Sequence, residues 1–146
     1  LSDRAQAAGR FALPNASQGE QRTHGFFYRA TGEREGVVGL PIIGGDTARG
    51  REGASVLYLR NRALQLQEAG KLDALRTAEA DDACKASCVD WYGNARPIFL
   101  GGRIFALLGY ELLEGRRACR GWPGERIEEL RRVSFAPQHS SAWGRD

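Results

Sequence analysis

Short apolar runs, broken every few positions by glycine or by charged residues, dominate the hydropathy pattern of this chain. The clearest lies at ASVLYLRN, where Val56 and Tyr58 fall on one face of an extended segment and Leu57 and Leu59 on the other. That arrangement predicts a strand buried on both sides. Upstream, HGFFYRA and GVVGLPII form two further apolar runs, separated at Thr31-Gly32 and closed by Gly44-Gly45-Asp46, and they read as a strand pair. Downstream, Arg60-Asn61-Arg62 reads as a turn into ALQLQ, where Leu64 and Leu66 alternate with Gln65 and Gln67 in a half-exposed partner strand.

From Glu68 to Ser87 the composition changes to alanine, acid and lysine, with Leu72, Leu75 and Ala78 at helical spacing. A short helix and an ordered loop are both open there. RPIFL, the turn at Gly101-Gly102-Arg103 and IFALLGYELLEG then form a hairpin, with a bulge or bend expected at Gly109. Pro97 cannot donate to a ladder, so it belongs at the start of its strand or on a sheet edge. In ERIEELRRVSF, Ile127, Leu130 and Val133 fit a helical repeat, whereas Val133 and Phe135 alternate as in a strand. The need of the neighbouring strands for partners favours a strand at its end.

Residues 1–22 are polar and read as a lead-in with an edge strand around Phe11 and Leu13, and residues 138–146 as a frayed tail. The 19 glycines suit many tight turns and therefore many short strands. With 146 residues the chain fits one domain of ordinary size. It has no methionine and starts at Leu1, which suggests a piece of something longer. No run approaches the roughly 20 apolar residues of a membrane-spanning helix.

Charge is mildly basic, with 21 Lys and Arg against 18 Asp and Glu, and only Lys71 and Lys85 are lysines. The arginines at 49, 51, 60, 62, 116, 117 and 120 fall near predicted turns among acidic residues. This is the pattern of solvated loop charges, so no nucleic-acid partner is expected.

Candidate chemistry gathers between Asp81 and Gly115. Cys84 and Cys88 admit three readings: a disulfide in an exported protein, free thiols, or metal ligands. The metal reading lacks ligands at suitable spacing, since only Cys119, His24 and His139 could complete a set, and the pair also lacks the Cys-x-x-Cys spacing of redox motifs. The disulfide is favoured if the compartment is oxidising. Asp81, Asp82, Asp90 and Asn94 offer hard oxygen ligands, but their spacing is not that of a calcium loop and capping of turn amides explains them better. Trp91 and Tyr92 could stack on a ligand and could equally pack a sheet end. With Asp90 and Asn94 they form a possible binding loop. His24 has no nucleophile or acid at diagnostic spacing, and the Gly44-Gly45 and Gly101-Gly102 pairs lack the remainder of a phosphate loop. Asn15-Ala16-Ser17 matches a glycosylation acceptor, a pattern frequent by chance. No catalytic residue, cofactor site or metal site is assigned.

The segments THGFFYRATG, ASVLYLRNRALQL, DDACKASCVDWYGNARPIFL and RIFALLGYELLEG, taken in order, resemble the C-terminal part of bacterial secreted proteins with a β-propeller domain, distantly similar to WD-type propellers. The resemblance implies export, four-stranded blades and a pair at Cys84 and Cys88 that can oxidise. It carries no catalytic residues. Together with the strand pattern it gives an expected fold that is mainly β, with short antiparallel strands over residues 23–137 forming about three propeller blades of roughly 40 residues each. Three blades do not close a ring, so the remaining blades of a longer chain are expected partners. No Trp-Asp pair ends the blades, and Cys88-Val89-Asp90-Trp91 has that order reversed. The expected role is a noncatalytic, extracytoplasmic scaffold or protein- or ligand-binding module, associated with a membrane only through missing segments. The alternative is part of an exported enzyme whose active site lies mainly on missing blades.

Overall fold

The computed structural model describes residues 6–18, 25–44, 54–75, 95–119 and 125–135. Its elements are β1 (Ala16–Gln18), β2 (Phe27–Gly32), β3 (Glu35–Gly44), β4 (Ala54–Arg62), β5 (Gln65–Asp73), β6 (Ala95–Leu100), β7 (Arg103–Leu108), β8 (Glu111–Cys119) and β9 (Glu125–Ser134). The fold is mainly β, with no helix among the described residues. Strands β2–β5 form one antiparallel meander and β6–β9 a second. A parallel bridge from Gly70 to Ile127 joins β5 to β9, so all nine strands belong to one curled, open sheet resembling half a barrel. β1 and β2 share the outer edge of β3, with β1 against Ile42–Gly44 and β2 against Glu35–Gly39.

Two-residue turns fix the register of both meanders. Gly101 and Gly102, at φ 53° and 86°, form the left-handed pair that a tight hairpin requires. Gly109, at φ 60°, opens a second two-residue turn with Tyr110, in which the glycine alone is left-handed, dividing what reads in sequence as one bent strand into β7 and β8. The first meander makes the fully left-handed kind of turn at Ala63 and Leu64, at φ 50° and 69°, without any glycine. The expected turn at Arg60-Asn61-Arg62 lies instead within β4, which runs to Arg62.

Alternation along β4 feeds two cores. Val56 and Tyr58 enter a cluster inside the curl that also takes Leu72 from β5 and Ala106, Leu108 and Leu113 from the second meander. Leu57 and Leu59 face the opposite side with Ile42, where Phe11 and Leu13 pack over them. The lead-in pair at Phe11 and Leu13 therefore covers a sheet face, and the edge strand forms at Ala16–Gln18. Each large side chain withdrawn from water in these clusters contributes roughly 1.5–3 kcal/mol.

Contacts across the curl hold the two meanders together. Pro97 seats directly on Gly39, where any side chain would collide with its ring. The Tyr58 hydroxyl donates to the Phe105 carbonyl at 2.7 Å, and its ring meets Phe99 edge-on at 6.1 Å between centroids. Burial pushes the Tyr58 phenol well above its usual pKa, so it stays a donor.

At the far end, Glu111 is buried and accepts from the Arg132 guanidinium at 2.7 Å and the Leu75 amide at 2.9 Å. Arg132 also donates to the Asp73 carbonyl at 2.8 Å. This network anchors the chain beyond β5 and accounts for a departure from the helix-or-loop expectation. Residues 68–73 continue the strand because Leu72 is buried opposite Val56 in the inner core. A bulge opposite Tyr58 and Leu59 takes up Ala69 as the extra residue, beside Gly70 at φ 147°. The ambiguous ERIEELRRVS segment is strand throughout.

Candidate binding cleft between the free sheet edges

Because the sheet curls without closing, β2 at one margin and β6 at the other approach each other. Between them lies a cleft of about 510 Å³, lined by Phe27, Arg29, Arg96, Pro97, Ile98 and Phe99, with the Gly101-Gly102 turn at one end. Phe27 is 41% exposed and Ile98 37%. The lining is mostly apolar, and its two charged residues are both arginines.

Local geometry explains how β6 presents itself. Leu100 and Arg103 flank a two-residue turn, so they exchange both main-chain hydrogen bonds of their pair, as do Ile98 with Phe105 and Arg96 with Leu107. Ala95, Pro97 and Phe99 then turn their main-chain groups toward the free edge. Pro97 has no N–H to lose there, and it stands on an edge strand as its chemistry requires. On β2, register with β3 puts Phe27 and Arg29 on the face carrying Gly39 and Val37, toward the interior of the curl. The Arg29 guanidinium reaches to 4.0 Å from the point where a Gly102 side chain would begin.

On the outer face of β8, Glu114 accepts from Arg103 at 2.6 Å and 2.8 Å and from Arg131 at 2.6 Å. Hydrogen bonds from Arg103, then from Arg131, hold its carboxyl down at about 2, so it remains anionic and fully engaged. Arg103 also lies over the Phe105 ring, 4.7 Å from its centroid.

A second cavity of about 320 Å³ lies on the outer face, between the N-terminal segment at Ala8-Gly9 and the side chains of Tyr28, Val38, Asn61 and Leu66. Asn61 donates to the Tyr28 hydroxyl at 3.2 Å, while its own amide oxygen is buried without a hydrogen-bond partner among the described residues.

The residues singled out in sequence lie elsewhere. Cys84, Cys88, Asp90, Trp91, Tyr92 and Asn94 are outside the described residues, as are Asp81, Asp82, His24 and His139. Cys119 ends β8. Among the described residues no three His, Cys, Asp or Glu side chains gather into a set that could hold a metal ion. The cleft residues carried one signal in sequence. Phe26, Phe27 and Tyr28 are consecutive aromatics, and alternating faces leave part of such a run exposed on a strand.

Comparison with protein-family models, with curated proteins and with solved structures finds no match. The resemblance to secreted propeller proteins therefore rests on the segments of this chain alone.

Proposed function

We propose that this chain is a noncatalytic, extracytoplasmic binding module of propeller type, taking its ligand in the cleft between β2 and β6. The cleft itself carries the reading: two sheet margins that have no further strand partner among the described residues converge on partly exposed apolar side chains, with Arg29 and Arg96 in the lining. Concave, mainly apolar sites with a few convergent polar groups are where proteins bind ligands. The two meanders support the propeller part, since each has four antiparallel strands and a length near that of a blade. The β5–β9 bridge is the feature such an arrangement has to accommodate. The extracytoplasmic placement follows from the resemblance and its oxidisable cysteine pair.

The test is ligand selection on the whole chain, using a displayed random-peptide library and an oligosaccharide array. Each captured ligand is then titrated against wild type, Ile98→Glu and the strand-compatible control Ile98→Thr. A ligand that loses at least about tenfold affinity with Ile98→Glu and much less with Ile98→Thr supports the cleft, a loss on the scale of one buried charge or hot-spot contact. Ligands that ignore both substitutions, or no captured ligand at all, would refute the reading.

A further inference from the structure

We propose that the cleft takes an organic carboxylate, its charged head on Arg29 and its apolar body between Phe27 on one side and Pro97 and Phe99 on the other. The assignment rests on the binding-module reading and names its ligand class. Three observations carry it.

First, the Arg29 side chain is half-buried, and among the described residues its guanidinium makes neither a hydrogen bond nor an ion pair. Other arginines of the sheet have their anions. Arg103 and Arg131 share Glu114, Arg62 pairs with Glu35, and Arg132 holds Glu111 and Glu129. A guanidinium drawn partly out of water without an anion is a costly arrangement that a bound anion relieves.

Second, the groups around that guanidinium select the kind of anion. Register with β3 puts Phe27 on the same inward face of β2 as Arg29. On β6, Pro97 and Phe99 point inward with their partners Ala106 and Ile104, which belong to the inner core. All four side chains thus share the interior of the curl, and all four line the cleft. Arg96 is on the opposite face of β6, so Arg29 is the only charge that the lining contributes to this side. A hydrated inorganic ion gains nothing from two phenyl rings and a proline ring, whereas a carboxylate carried on a ring or a branched chain buries its body against them.

Third, the space is suitable and unused. A cleft of about 510 Å³ is of the size that holds a small organic molecule. Phe27 remains 41% exposed although it faces inward, so the core leaves this ring uncovered. Gly102, where a side chain would begin 4.0 Å from the Arg29 guanidinium, brings none to cover it. A planar guanidinium grips a carboxylate through two parallel hydrogen bonds, a fit that a neutral amide does not reproduce.

Hydrocinnamate, its primary amide hydrocinnamamide, and acetate are each titrated against the isotope-labelled whole chain, followed by amide chemical shifts in NMR spectra. Hydrocinnamate is expected to bind at least about tenfold more tightly than the amide or acetate, the scale of a charged hydrogen bond or of a buried ring. Arg29→Gln should make acid and amide nearly equal. Arg29→Lys, which keeps the charge and loses the fork, should fall between it and wild type. Phe27→Ala should weaken acid and amide alike. Variant spectra that match wild type outside the cleft establish that the fold is kept. An N-acetylated dipeptide ending in phenylalanine with a free carboxylate distinguishes two sources of this chemistry: tighter binding than hydrocinnamate assigns the carboxylate end of a polypeptide, weaker binding a small free acid.

Equal binding of acid and amide to wild type, or a preference for the acid that survives Arg29→Gln, would overturn the carboxylate on Arg29. Acetate binding as tightly as hydrocinnamate would overturn the apolar body. If neither hydrocinnamate nor the dipeptide binds while ligands selected on the whole chain still depend on Ile98, the carboxylate assignment falls and the binding module stands.

Discussion

The turn between β4 and β5 places two side-chain-bearing residues in the left-handed region, Ala63 at φ 50° and Leu64 at φ 69°. Asparagine and glycine normally occupy such a turn, because a Cβ there crowds the neighbouring carbonyl at about 1–2 kcal/mol per residue. Ala63→Gly removes that crowding at an exposed position. It also loosens the unfolded chain, which offsets roughly 0.4–1 kcal/mol. The net expectation is a gain of about 0.8 kcal/mol, and the Ala63 amide keeps its 2.8 Å bond to the Arg34 carbonyl.

Leu64→Gly relieves the same crowding with a different outcome. Leu64 is 54% exposed, so a little under half of its side chain is covered. Losing that cover forfeits roughly 0.7–1.4 kcal/mol on the usual scale for a leucine. This cancels the relief, and the net change is near zero or slightly destabilising. Urea denaturation monitored by tryptophan fluorescence and circular dichroism separates the two. With a slope of about 2 kcal/mol per molar, Ala63→Gly should move the midpoint up by about 0.4 M and Leu64→Gly should leave it in place or lower it. If Ala63→Gly destabilises by more than about 0.5 kcal/mol, or Leu64→Gly is the stabilising member, the turn does not have this geometry.

Four further outcomes follow. Glu111→Gln should cost about 1.5–3 kcal/mol by thermal or urea unfolding, because the Arg132 guanidinium loses one of its two carboxylate partners and keeps Glu129 at 2.7 Å; the pair replacement Glu111→Leu with Arg132→Met should cost less than removing Arg132 alone. The Glu114 carboxyl sits at about 2 in the fold and near its ordinary value of 4.5 when unfolded, so the folded state binds fewer protons between those values. Its contribution is therefore complete above about pH 4.5 and lost as the pH falls toward 2, and Glu114→Gln should flatten the acid limb of a stability-pH curve. Gly39→Ala should destabilise by roughly 1–3 kcal/mol, since its methyl group meets the Cβ of the Pro97 ring; a smaller cost in the Pro97→Gly background, which removes that Cβ, would confirm the contact. Trypsin cuts after Lys85, between Cys84 and Cys88, and the two peptides from exported protein should stay joined until reductant is added; separate peptides without reductant would remove the disulfide.

The strands that alternate cleanly were legible in the sequence. Val56 to Leu59 announced a doubly covered strand, and the same residues divide between the two cores. Pro97 announced an edge, and β6 ends the sheet. Where the reading went astray, local and long-range forces disagreed. Leu72 and Leu75 sit at helical spacing in an alanine-rich stretch, yet Leu72 is claimed by an inner core partly built from the second meander. No window around residue 72 contains that partner. Gly109 suggested a bulge because IFALLGYELLEG is apolar on both sides of it, and periodicity alone does not distinguish a bend from a full reversal. The cleft was hidden for the same reason as the course of β5. Asp90, Trp91 and Asn94 drew attention because they cluster along the chain, whereas Arg29 and Arg96 become neighbours only when the sheet curls.

The curl also links stability to binding through a single contact. A closed barrel would pair β2 with β6 and leave no cleft, while a flat sheet would set them at opposite margins. The intermediate shape depends on how closely β6 can lie over β3. Gly39 allows that approach because it offers no side chain to the Pro97 ring, and Tyr58 secures it from the next strand through Phe105 and Phe99. The width of the cleft is then set by the packing of the core beneath it, and not by the residues that line it. A substitution at Gly39 should therefore change ligand affinity without touching the ligand, and an effect on stability alone would separate the core from the site.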